Sequence, residues 1–213
     1  MRVLAKTLVV LLPFAAVFFA LRACSGKEAG RWQGRIAAVD PEVEVVVDAP
    51  DLLVLAPDAA WGRAAAEEAR RFKTAIEHNY GDLLGHDRGQ RLIVVLFSSI
   101  GRLRRYAGRG AAFAPDALGA LHGYTDSSQG AIYLPPNSTM DTLHHELVHW
   151  VVKTSHGGLV EFSPWLSEGL AQLFERYRPG SRPPGLDPEA RAQIPLVVPG
   201  GEIDLDRLLG IED

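Results

Sequence analysis

The chain has 213 residues, 47% of them hydrophobic and 23% charged, with a formal net charge of −4. That length fits one domain with a buried core, and the composition excludes disordered and collagen-like chains. It also gives no reason to expect a nucleic-acid partner, since such proteins carry a clustered basic surface.

Arg2 and Lys6 precede an uncharged run from Thr7 to Leu21, which is followed by Arg22-Ala23-Cys24. A spanning helix needs about 20 apolar residues, whereas signal-peptide cores run roughly 7–15. Residues 1–24 are therefore read as a signal peptide or an N-terminal membrane anchor. The stretch Leu21 to Cys24, "LRAC", resembles a bacterial lipoprotein box, in which the cysteine is lipidated and becomes the mature N-terminus, although Arg22 is unusual there. Lipidation at Cys24, an uncleaved anchor and full secretion each put the folded part outside the cytoplasm. Cys24 is the only cysteine, so no intrachain disulfide forms.

Residues 25–35, "SGKEAGRWQGR", are polar and contain glycine, as a linker would. The folded domain is expected over 36–178. "EVEVVVDAP" and "LLVLAP" read as two strands closed by proline. After Asp58, a capping residue type, Trp61, Ala65, Ala69, Phe72, Ile76 and Tyr80 recur at steps of four or three and predict one long helix ended by Gly81 and Gly85. "RLIVVLFSS" is nearly continuously apolar, the pattern of a strand interior to a sheet.

A short helix is expected around Arg102 to Tyr106, where Arg102, Arg104, Arg105 and Arg109 form a solvated basic face or a subsite for an acidic partner. The stretch from Gly108 to Gly123 reads mostly as loop. "GAIYLPP", Gly130 to Pro136, reads as a strand whose two prolines favour an edge position. Ser138 or Thr139 can cap a helix running to Gly157, and Ser163-Pro164 opens another that Pro179-Gly180 stops. The tail, 179–213, is proline-rich and shows one helical stretch, Asp204 to Leu209.

The first of those two helices carries His145-Glu146-Leu147-Val148-His149. Residues i and i+4 share a helix face with Cβ atoms about 5–6 Å apart. Two imidazoles so placed can converge on one ion at about 2.0–2.1 Å each. Glu146, about 100° further around the helix, would stand beside the ion's open position, where a base takes a proton from water. A catalytic zinc usually has three protein ligands. Glu168, with eighteen residues between it and His149, is the candidate for the third, because the second helix returns the chain to the ion.

His145 to His149 followed by "WLSEGLA", Trp165 to Ala171, resembles the gluzincin metallopeptidases, most closely the minimal thermolysin-like domains termed peptidase MA-like. The likeness extends over about Leu52 to Phe174. It implies an α+β fold: a small mixed sheet with an edge strand beside the active site, packed on a long helix and the two metal-binding helices. It further implies that His145, His149 and Glu168 bind Zn2+, that Glu146 is the catalytic base, and that a peptide or protein substrate lies extended along "GAIYLPP".

Larger members of that group carry a later helical segment whose Tyr or His stabilises the oxyanion. Here 45 residues follow Glu168, and Tyr177, the one tyrosine among them, lies about 13 Å along the helix axis from it. Tyr124, His122 and Tyr133 are the alternative oxyanion or substrate contacts, each weighed against plain aromatic packing. A relative that keeps zinc yet works as a binding or assembly module, and a metal-dependent hydrolase of a non-peptide substrate, remain as alternatives.

Among the other polar residues, His144 reads as a partly exposed neighbour of the motif with no role, His78 and His86 as surface residues, and His156 as a partner of the helix end or of solvent. Trp150 and Trp165 read as core aromatics. Asp141 reads as a partner of the metal ligands or as a helix-capping residue with Ser138, and Gln172 has the same two readings.

Overall fold

Two runs, Leu52–Ala56 and Leu92–Leu96, are apolar and buried at every position. Strands of that kind need cover on both faces, and they receive it. The computed structural model describes residues 26–84, 89–109, 121–126, 128–155, 164–179, 197–198 and 201–202. Its main sheet contains β1 (Glu44–Asp48), β2 (Leu52–Ala56), β3 (Leu92–Leu96), β4 (Tyr124–Asp126) and β5 (Ala131–Leu134), in the spatial order β1-β2-β3-β5-β4. The two outer pairs are antiparallel and the central pairs parallel. The fold is therefore α+β with a mixed sheet.

Side-chain alternation splits the core into two layers. Leu52, Val54, Leu92, Val94, Leu96, Ile132 and Leu134 face α2 (Ala59–Leu84), α4 (Met140–Ser155) and α5 (Pro164–Glu175). Leu53, Leu55, Ile93, Val95, Phe97 and Tyr133 face α1 (26–37) and α3 (Ile100–Arg109). Helices thus cover both faces of the sheet.

Helix α1 corrects the expected linker. Residues 26–37 are helical, and Ala29, Trp32 and Ile36 are buried in the core. Their steps of three and four make a narrow apolar stripe. Polar residues and glycines on the remaining faces conceal it in a reading by composition.

Asp58 accepts a hydrogen bond from the Trp61 amide at 2.7 Å and so caps α2, as expected. Ala65, Ala69, Phe72 and Ile76 form its buried face. The helix runs through Gly81 to Leu84, because one glycine costs a helix only about 1 kcal/mol. On the far layer Asp40 is fully buried. It accepts from the Ser98 amide at 2.7 Å and from the Arg102 guanidinium, which also reaches Glu42 at 2.9 Å. Arg102 is therefore not part of a merely solvated face.

The expected edge strand is also corrected. "GAIYLPP" contains β5, which lies between β3 and β4 and is buried throughout. Its prolines follow the last ladder residue, so they end the strand without denying a donor to either neighbour. β4 is the edge strand on that side instead, directly after the stretch expected to be mostly loop. A turn closed by Asp126 joins it to β5. The Asp126 carboxylate accepts from the Ser128 amide at 3.0 Å and the Gln129 amide at 3.3 Å. Gly130 completes the turn at φ +63°, and a Cβ there would come within 2.5 Å of Gln90.

Val197–Val198 pairs with Gly201–Glu202 in the tail. Among the described residues no helix is long and apolar enough to cross a membrane. The N-terminal run with Cys24, His86, His156, the helix expected at 204–209 and the side chains of Tyr80 and Trp165 lie outside the described residues.

Candidate metal centre

Thr139 caps α4, its hydroxyl accepting from the Thr142 amide at 3.3 Å. The helix then presents His145 and His149 one turn apart. Helix α5 packs against α4 and carries Glu168 in its second turn. His145 Nε2 lies 3.3 Å from Glu168 Oε2, His149 Nε2 lies 3.3 Å from Glu168 Oε1, and the two Nε2 atoms are 3.3 Å apart.

Those separations test the fit of a metal. Four ligands at about 2.0–2.1 Å in a tetrahedron stand about 3.3–3.4 Å from one another. The two imidazole nitrogens stand at that spacing, each has one Glu168 carboxylate oxygen at the same distance, and the donor set is one that zinc takes. The fourth corner opens into a cavity of about 870 Å3 between α4, α5 and β4.

Both imidazoles have outer partners. His149 Nδ1 lies 2.9 Å from Ser167 Oγ, and His145 Nδ1 lies 3.8 Å from a Glu175 carboxylate oxygen. The Ser167 hydroxyl is placed to hold the His149 ring through Nδ1, with Nε2 facing Glu168. Burial also pushes the His149 pKa down to about 4, so its ring is neutral at physiological pH.

Glu146 is buried at the cavity wall. The Thr125 hydroxyl, on β4, lies 2.7 Å from Glu146 Oε2 and 2.9 Å from the Glu146 carbonyl oxygen, and it donates its one proton to either. Burial raises the Glu146 carboxyl above its ordinary range, and the Thr125 hydrogen bond only partly offsets this. Gly123 gives the carboxylate its room, since a Cβ there would lie 3.3 Å from Glu146 Oε1 and 3.0 Å from Leu134.

The three candidate oxyanion or substrate contacts separate. His122 is exposed and lines the cavity. Tyr133 does not reach it, because strand alternation turns its ring to the α1–α3 layer, where its hydroxyl meets Tyr106 at 3.3 Å and Gln129 at 3.2 Å. Tyr124, its partner across the ladder, is a cavity residue whose ring stacks on Tyr133 at 4.6 Å. Burial raises both phenol pKa values, so both stay protonated.

His144 is not a surface residue. It is fully buried, stacked on Phe72 at 3.9 Å, with Nε2 2.7 Å from Glu68 Oε1. Asp141 pairs with Arg178 and Gln172 is exposed. Tyr177 is buried and its hydroxyl accepts from Asn79 at 3.1 Å, away from the cavity. Trp150 is a core residue whose indole N–H donates to the Gly130 carbonyl at 3.0 Å.

Sequence reasoning missed Thr125, Ser167, Glu175 and Gly123. Only Ser167, a hydroxyl directly before a ligand, carried a signal. In comparisons with known proteins, no family model and no curated protein matches the chain.

Proposed function

We propose that this chain is a membrane-tethered, extracytoplasmic zinc peptidase of the gluzincin type, built on a thermolysin-like arrangement of sheet and helices. One observation carries the reading: the Nε2 atoms of His145 and His149 lie 3.3 Å apart and each lies 3.3 Å from a carboxylate oxygen of Glu168, with Glu146 on the same cavity wall. Zinc held by those three residues supplies a Lewis acid that polarises a peptide carbonyl and lowers the pKa of water to about 7.

Glu146 takes the proton of the attacking water and later delivers it to the leaving amine. Thr125 orients the carboxylate. The edge strand β4, rather than β5, is where an extended substrate would add by main-chain hydrogen bonds. His122 and Tyr124 are the candidate residues at the cavity left to support the oxyanion.

A second reading, a zinc-retaining binding module, is favoured by the burial of the Tyr133 ring in the opposite layer, which removes one candidate donor. Zinc content and cleavage of a broad peptide library by the full chain, beside Glu146→Gln, decide between them. A peptidase binds zinc in both forms and cuts only as wild type. Zinc in both without cleavage in either establishes the binding module, and no zinc in the wild type overturns both.

A further inference from the structure

We infer that the α1–α3 layer is a docking face for anionic phospholipid headgroups, an inference that rests on reading residues 7 to 21 as a membrane anchor. Helices α1 and α3 hold seven of the 22 basic residues and one of the 26 acidic ones, so they carry a net charge of +6 in a chain of net −4. Lys27, Arg31 and Arg35 follow one another at steps of four along α1, and all three are exposed. Arg105 and Arg109 are exposed on α3. The Arg35 guanidinium sits 5.3 Å over the Trp32 ring and 5.4 Å over the Tyr106 ring of α3, joining the two helices into one surface.

That surface is indented. A recess of about 370 Å3 is lined by Arg31, Trp32, Arg35, Ser128, Gln129 and Glu28. Arg91, 2.9 Å away, answers the Glu28 charge. The buried Trp32 indole N–H has no acceptor among the described residues. Two guanidinium groups with an indole N–H are donors of the kind that a phosphate oxygen set satisfies.

Chain length brings the surface to the bilayer. Five residue steps join Leu21 to Gly26, a reach of at most about 18 Å. Attraction to an anionic leaflet then holds the face down. Because α4 and α5 lie on the other face of the sheet, docking turns the cavity away from the bilayer and towards water-borne proteins.

The test uses the full chain in nanodiscs of phosphatidylcholine, with or without phosphatidylglycerol, and follows amine acetylation of Lys27 and Lys153 by mass spectrometry. Docking slows Lys27 labelling at least about threefold on the anionic discs alone, leaves exposed Lys153 unchanged, and vanishes in 1 M salt, where screening shortens to about 3 Å. Arg31→Glu combined with Arg105→Glu and Arg109→Glu, all at exposed positions, abolishes the difference. A chain held by both discs with equal Lys27 labelling overturns the docking face and leaves the anchor standing. Capture by anionic discs only supports the face and removes the anchor, and retention by neither overturns both.

Discussion

Helix α4 presents two adjacent histidines to two different environments. His144 points into the core, stacked on Phe72 and bonded to Glu68, with no exposed surface. His145, about 100° further round, stands at the cavity within 3.3 Å of Glu168. One imidazole ties α4 to α2, and the other is available to an ion. Residue type and sequence neighbourhood are the same, so the helix face alone separates a structural group from a candidate ligand.

If the two faces are independent, changes on the cavity face cost function and changes on the core face cost stability. Glu146→Gln should make the sharpest case: cleavage falling about 10²–10⁴-fold in a peptide assay, with zinc content and melting temperature at least maintained, since a buried carboxylate is replaced by a neutral amide. His144→Ala should do the reverse. It leaves Glu68 without one donor and opens a void against Phe72, at a cost of about 2–4 kcal/mol in denaturant unfolding, while zinc stoichiometry is retained. Loss of zinc with stability intact in that variant would break the comparison.

Ser167→Ala is a finer probe of the cavity face. Its hydroxyl is the partner of His149 Nδ1 at 2.9 Å, so removal should weaken zinc about 10–100-fold in chelator competition. Cleavage at saturating zinc should largely survive, because Glu146 and Thr125 are untouched.

Periodicity made α4 and α5, the long α2 and the interior β3 legible, because an apolar stripe or run in each had a single burial solution. Spacing likewise made His145, Glu146, His149 and Glu168 legible, since i and i+4 fix a face whatever the rest of the chain does. Helix α1 was hidden because three buried residues, Ala29, Trp32 and Ile36, are outnumbered by polar and glycine neighbours. β4 was hidden because three residues, Tyr124 to Asp126, are too short to display an alternation. The exchange of edge between β4 and β5 follows from a proline's position, which excludes a residue from a ladder but says nothing about strands that end before it. Thr125 and Gly123 act through tertiary contact with Glu146, and no local pattern encodes such a contact. His144 was misread for the same reason: its partner, Glu68, is 76 residues away.

The smallest expected effect is on pH dependence, and it sharpens what the core face contributes. Burial holds the His144 pKa below its ordinary 6.5. Burial also acts to raise Glu68, but hydrogen bonds from His144 and Arg71 outweigh it and hold that carboxyl below its ordinary 4.5. In both cases the unfolded chain binds the proton more readily than the folded one, so stability is complete above 6.5 for the histidine and above 4.5 for the carboxylate, and is lost as pH falls through each value. Glu146 acts with the opposite sign, because a raised carboxyl pKa makes its protonation favour the folded state. Melting curves are therefore best compared in a Glu146→Gln background, with chelator present, with and without His144→Gln. The stability gap between the two should be widest above pH 6.5 and narrow as pH falls, first through the histidine and then through Glu68. A gap that stays constant from neutral pH to pH 4.5 would mean that His144 supports the fold by packing on Phe72 alone.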